Sequence, residues 1–164
     1  MRKLCETLRQ AMEQAGLRDG MTISFHHHLR NGDYVLNMVL DEAAKMGVKD
    51  LTVNASSVFD CYEPMLDHIR NGVVTGLETD YIAPGIGREL SKGILPKPII
   101  FRTHAPARRT FSAGAASSTL LYCSSGVRFY GQLLGQVRPV GLRLAGYAFA
   151  DAMKAKKWWS SPTT

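Results

Sequence analysis

The sequence predicts an α/β fold, a mostly parallel sheet flanked by helices. Helix-like and strand-like segments alternate four times across residues 1–104, and Gly or Pro punctuates most of the boundaries between them. At 164 residues and 45% hydrophobic, the chain has the length of one domain and the apolar content to bury a core.

The elements follow in order. Leu4, Leu8, Ala11, Met12 and Ala15 recur at helical spacing, and Gly16 stands where a left-handed helix end is wanted. Met21-Thr22-Ile23-Ser24-Phe25 alternates and is β-prone, so it reads as the first strand. Gly32-Asp33 opens a second helix carrying Tyr34, Val35, Met38, Val39, Ala43 and Met46, with Asp33 as its cap and Gly47 closing it. Leu51 to Ala55 is the second strand, Tyr62 to Ile69 a third helix ending at the turn pair Asn71-Gly72, and Val73 to Leu77 the third strand. After a break at Pro84-Gly85, Ile86 to Leu95 forms a short helix, and Pro96-Lys97-Pro98 leads into a fourth strand, Ile99 to Arg102.

Residues 105–145 contain no acid and show no sustained period, so they form an atypical basic tail with 146–164. Within it Thr119 to Cys123 reads as a strand, and Gly146 to Lys157 as a short helix. The net charge of +6 is all here: eight Lys and Arg in residues 105–164 face Asp151 alone, a net +7, while residues 1–104 carry −1. That tail motivates one rival reading, a basic module that binds nucleic acid. The lack of regular aromatic interleaving or a reader motif argues against it.

No run of 18 apolar residues exists, and the start lacks the apolar stretch of a secretory signal, so the expectation is a cytoplasmic chain with no membrane partner. Cys5, Cys61 and Cys123 are odd in number and lack CxxC spacing, which suggests buried, reduced thiols rather than disulfides or zinc.

The densest polar stretch runs from Ser24 through His26-His27-His28-Leu29-Arg30-Asn31-Gly32 to Asp33, between the end of a strand and the start of a helix. Ligands of open α/β sheets bind beyond the carboxyl ends of strands, and helix amino termini favour anions. On an extended chain His26 and His28 share a face and His27 takes the other, so at most two line a pocket. No acid or cysteine has the spacing to complete a zinc site with them, and no metal is expected. Packing or surface histidines are the plain alternative. Asn54, Ser56 and Ser57 after the second strand, and Arg102, Thr103 and His104 after the fourth, are further candidates by position, although Ser56 and Ser57 also suit an ordinary turn.

Asp19-Gly20-Met21-Thr22-Ile23-Ser24-Phe25-His26-His27-His28 and Arg30-Asn31-Gly32-Asp33-Tyr34-Val35 resemble the citrate lyase alpha subunit family. The resemblance continues through Asn37-Met38-Val39, Lys49-Asp50-Leu51-Thr52, His68-Ile69-Arg70-Asn71-Gly72-Val73-Val74-Thr75 and Pro98 to His104, and returns at Gly146 to Ala152. It implies a CoA-transferase-like fold, incomplete here because the family's chains are much longer, and a fragment that is inactive alone. The implied reaction is citrate CoA-transfer: citryl replaces acetyl on an acyl carrier protein thioester and acetate leaves.

The implied partners are the citrate lyase beta subunit and the acyl carrier protein subunit, with citrate and acetate as small molecules. No cofactor is bound directly; the carrier brings a CoA-like prosthetic group. Such chemistry needs cations for a tricarboxylate and donors for an oxyanion. The resemblance assigns Arg30 to citrate carboxylates, His26 and His28 to donor or acid/base roles, and backbone N–H groups near Asn31 and Gly32 to the oxyanion. Asn54, Ser56, Ser57, Arg102, Thr103 and His104 then stand as further substrate-binding positions. The citramalate lyase alpha subunit, whose substrate differs in one substituent, is the alternative these motifs leave open.

After His104 the family's typical sequence gives way to Ala105-Pro106-Ala107-Arg108-Arg109, which suggests that the tail is read out of frame. Tryptophan has a single codon. If Lys157 is AAG and the serines use TCN codons, starting one base earlier turns Trp158-Trp159-Ser160 into three valines, the apolar run of a buried parallel strand. The coding DNA of codons 100–164 should therefore hold an alternative frame restoring family-like sequence across residues 105–145 and after Lys157. DNA without such a frame removes the idea.

Overall fold

The computed structural model describes residues 5–26, 34–101, 119–123 and 157–160, with His26 and the last two segments as backbone alone. Six strands form one sheet in the order β4-β3-β2-β1-β5-β6, and every pairing is parallel. In chain order the elements are α1 (Leu8–Ala15), β1 (Thr22–His26), α2 (Val35–Lys45), β2 (Leu51–Ala55), a 3-10 turn (Asp60–Tyr62), α3 (Met65–Arg70), β3 (Val74–Thr79), α4 (Pro84–Leu90), β4 (Ile100–Phe101), β5 (Thr119–Cys123) and β6 (Lys157–Ser160). The α/β class with a mostly parallel sheet and flanking helices is as the sequence predicts.

Three helices end alike. After α1, α2 and α3 a glycine takes the left-handed conformation (Gly16, Gly47, Gly72; φ 73°, 79°, 74°), and the residue behind it donates its N–H back to the last turn. These donors are Leu17 to Met12, Val48 to Ala43 and Val73 to His68. This turn satisfies helix-end carbonyls and throws an apolar residue inward, so Leu17, Val48 and Val73 are all buried. A side-chain contact joins each pair of neighbouring helices: Arg9 Nε donates to Glu42 Oε1 at 2.7 Å, and His68 Nε2 lies 2.9 Å from Asp41 Oδ1.

In a parallel sheet, residues in register share a face. Ile23, Val53 and Leu77 align, as do Phe25 and Ala55, and these buried residues join Met12, Leu36, Val39, Leu40 and Ile69 of the helices in one core. The opposite face carries Thr22, Thr52 and Gly76 in one row and Ser24, Asn54 and Glu78 in the next. Gly76 is there for want of space: a Cβ on it would sit 2.7 Å from Thr52 Oγ1 and 3.2 Å from its Cγ2.

The amino-terminal edge of the sheet is fastened by polar contacts. Asp19 Oδ1 accepts from the Lys49 N–H at 2.8 Å, and Gly20 N donates to Lys49 O. Asp50, at φ 58°, accepts from Thr75 Oγ1 and, at 2.7 Å, from Lys97 Nζ. Aspartate tolerates that left-handed conformation better than most residues. The Lys97 hydrogen bond first, and the Thr75 hydroxyl second, hold the Asp50 carboxyl below its ordinary value of 3.8.

Several boundaries differ from the sequence reading. Helix α2 starts at Val35 with Tyr34 as its cap position, without a side-chain cap bond, so the cap assigned to Asp33 is displaced by one residue. The third helix is split, because Pro64 suits a helix start and α3 begins after it, leaving Asp60–Tyr62 as a separate turn. Helix α4 begins at Pro84, where a missing N–H costs nothing, and ends at Leu90 ahead of left-handed Gly93. The first strand runs one residue further, to His26, and the fourth is only Ile100–Phe101. Lys157 belongs to a strand rather than a helix; the rest of the 146–157 segment lies outside the described residues. Cys5 is exposed and Cys61 half-buried, which corrects the expectation of buried thiols. Among the described residues no helix is long and apolar enough to cross a membrane.

Two outcomes test this fold. Gly76→Ala should cost about 1–3 kcal/mol in urea denaturation, since β-branched Thr52 has little freedom to yield, and adding Thr52→Ala should recover part of the loss. An unchanged midpoint would show that the strands have room. Asp50→Asn keeps the backbone tolerance but loses the charge. Because the folded carboxyl titrates below its unfolded value, its stabilisation is present above about pH 4 and is lost as pH falls through the folded pKa. The variant should be modestly less stable than the parent at pH 7 and converge with it in acid; a gap independent of pH would refute the ion-pair account.

Candidate functional site

The topology picks out one place. The chain leaves β1 towards β2 on one side, and leaves β5 towards β6 on the other, while β1 and β5 are neighbours. Their carboxyl ends flank the point where the strand order reverses, which is where open α/β sheets form a ligand crevice. His26 is the last residue of β1 and pairs with Cys123, the last residue of β5. His26 thus ends its strand at this point. His28, Arg30, Asn31, Gly32 and Asp33 lie outside the described residues, as do Arg102, Thr103 and His104.

Asn54 sits on the next strand, half-buried, in register with buried Ser24 on one side and Glu78 on the other. Asn54, Ser24 and Glu78 share the sheet face turned away from the helices. Glu78 is a polar neighbour that sequence reasoning missed, because nothing in Val74-Thr75-Gly76-Leu77-Glu78 marks it before the register is known. Phe101, which precedes Arg102, ends a strand three places from β1, roughly 14 Å away at the usual strand spacing.

Ser56 and Ser57 begin a tightly held rim. Beyond the ends of β2 and β3 the two chains stay zipped: Val58 N donates to Tyr81 O and Ala83 N to Val58 O, each at 2.8 Å, and Val58 bridges Ile82. Asp80 N donates to Ser56 O at 3.4 Å, and Ser57 Oγ lies 3.5 Å from Asp80 Oδ1. Thr79 Oγ1 donates to Tyr81 O at 3.0 Å. Phe59 packs on Tyr62 and Tyr81 with ring centroids 6.4 and 5.9 Å apart. Ser56 and Ser57 thus stand in a rim closed by backbone hydrogen bonds, and both stay half-buried at its lip.

A second missed residue lies on α2. Asn37 Nδ2 donates to Cys61 O at 2.7 Å, while its buried Oδ1 meets no donor among the described residues. An unpaired buried acceptor of this kind costs about 1–3 kcal/mol. The available signal was an asparagine, a weak helix former, beside the apolar stripe Leu36, Val39, Leu40 and Ala43.

The sequence profile of citrate lyase, alpha subunit, matches residues 1–158. The chain belongs to the citrate lyase alpha subunit family. The match passes through the basic tail, beyond the motifs that first suggested it. The citrate lyase alpha chain of Escherichia coli is 38% identical over 157 residues, covering 95% of this chain and 31% of its own length. That of Haemophilus influenzae is 44% identical over 103 residues, 63% of this chain and 21% of the relative. In structure, the putative alpha subunit of citrate lyase from Streptococcus mutans, crystallised in complex with citrate, is 38% identical with a TM-score of 0.89 over 99% of this chain and 33% of its own. Relative to the E. coli and S. mutans citrate lyase alpha chains, this member spans about a third of their length.

Proposed function

We propose that this chain forms the amino-terminal part of a citrate CoA-transferase, in which citryl replaces acetyl on a carrier-protein thioester and acetate leaves. The observation that carries the reading is the match, over 99% of the chain, to a family member crystallised with citrate. The position of His26 at the strand-order reversal supports it, since a carboxylate ligand fits a crevice of that kind.

In this reading Arg30 holds a citrate carboxylate, and the histidines at 26 and 28 donate to it or relay protons. Backbone N–H groups near Asn31 and Gly32 take the oxyanion that develops as a citrate oxygen attacks the thioester carbonyl. Asn54, Ser56 and Ser57 line the near side, and Arg102, Thr103 and His104 contribute further contacts. The carrier thiolate leaves as the citrate oxygen bonds to the acetyl carbon, then attacks the citryl carbonyl of the resulting anhydride and expels acetate, so the thioester is conserved. The partners are the lyase beta subunit and the carrier protein with its CoA-like group. The exchange itself is proposed for a chain in which the remaining two-thirds of the family's length is supplied; this chain by itself is expected to bind citrate without turning it over.

Calorimetric titration with citrate tests this. Citrate should bind to the parent chain, and Arg30→Ala should weaken that binding by about 10- to 100-fold, the worth of one charge-assisted hydrogen bond, with the thermal midpoint unchanged. Equal affinities would remove Arg30 from the site, and a parent chain that ignores citrate would sink the reading.

A further inference from the structure

The first turn of α2 carries a side chain that neither packing nor the proposed exchange explains. Asn37 is only 6% exposed, and it stands beside Leu36, Val39 and Leu40 where an apolar residue would extend the stripe. Half of its amide is used, by the Nδ2 donation to Cys61 O at 2.7 Å, and half meets no partner among the described residues. Departures from good packing of this sort concentrate at functional sites.

What the used half joins is specific. Helix α2 follows the exit of β1, and Cys61 belongs to the 3-10 turn that closes the loop leaving β2, the loop that starts at Ser56 and Ser57. One hydrogen bond therefore ties the connection that follows β1 to the connection that follows β2. We infer that Asn37 is a positioning residue: through the Cys61 carbonyl it anchors the far end of the 56–61 loop to α2, adding to the backbone bonds with Asp80, Tyr81 and Ala83 that hold the near end, and so sets the placement of Ser56 and Ser57 relative to the end of β1. The functional part of this inference rests on the citrate-site reading above; the mechanical part does not.

Asn37→Leu retains the bulk and removes the donor together with the orphaned oxygen. Amide hydrogen exchange across residues 57–62 should accelerate about tenfold, while the strands and the body of α2 keep their protection and the thermal midpoint moves by no more than about 4 °C. Citrate affinity should fall about five- to tenfold, and Asn37→Gln, which keeps an amide donor, should recover part of both effects. Unchanged exchange in 57–62, or acceleration spread evenly over the core, would overturn the inference and leave Asn37 a folding residue. If the parent chain fails to bind citrate, the functional reading falls, yet the exchange pattern still decides whether Asn37 holds the loop.

Discussion

Strand β1 is bonded on both sides, to β2 and to β5, and the rest of the architecture depends on that double pairing. Its register sets which residues face the helices and which face away, since a slip of one residue would exchange Ile23 and Phe25 for Thr22 and Ser24. The same pairing creates the reversal of strand order. Core and candidate site are thus two products of one alignment, the core from its odd residues and the site from the point where its last residue lets the chain go.

The sheet divides labour between its edges. At the amino-terminal edge, Asp19, Lys49, Asp50, Thr75 and Lys97 hold neighbouring connections together. At the carboxyl edge, the loops after β2 and β3 are zipped by backbone hydrogen bonds into a firm lip. This gives much of the family-like sequence a structural task. Asp19-Gly20, Lys49-Asp50 and His68 to Val73 carry fastening contacts and the left-handed turn at Gly72, so they identify the fold more than the reaction.

Legibility followed the strength of local rules. Strands β2 and β5 fall where their β-prone runs were read, residue for residue, and the helix-ending glycines were visible because a left-handed turn needs them. Prolines misled in both directions: Pro84 looked like a break and is a first helical residue, while Pro64 looked harmless and separates two helical pieces. Strand β6 was missed because Gly146 to Lys157 was read as a helix and a strand at Trp158-Trp159-Ser160 was expected only in a shifted frame. Of the candidate site, strand-end position was readable for His26, Asn54 and the two serines. Glu78 and Asn37 were not, since their importance depends on cross-strand register and on a long-range bond to Cys61.

The separation in sequence between paired residues also sets an order of assembly. Partners in β1 and β2 lie roughly 30 positions apart, whereas partners in β1 and β5 lie close to 100 apart, across the whole of β2 to β4. Closing the longer loop costs about 1 kcal/mol more, and its contacts come last. During synthesis, then, the β1–β2–β3 half with its helices can condense while the opposite edge of β1 waits unpaired. That open edge is the vulnerable state of the nascent chain, because unpaired strand edges recruit other chains until their own partner arrives.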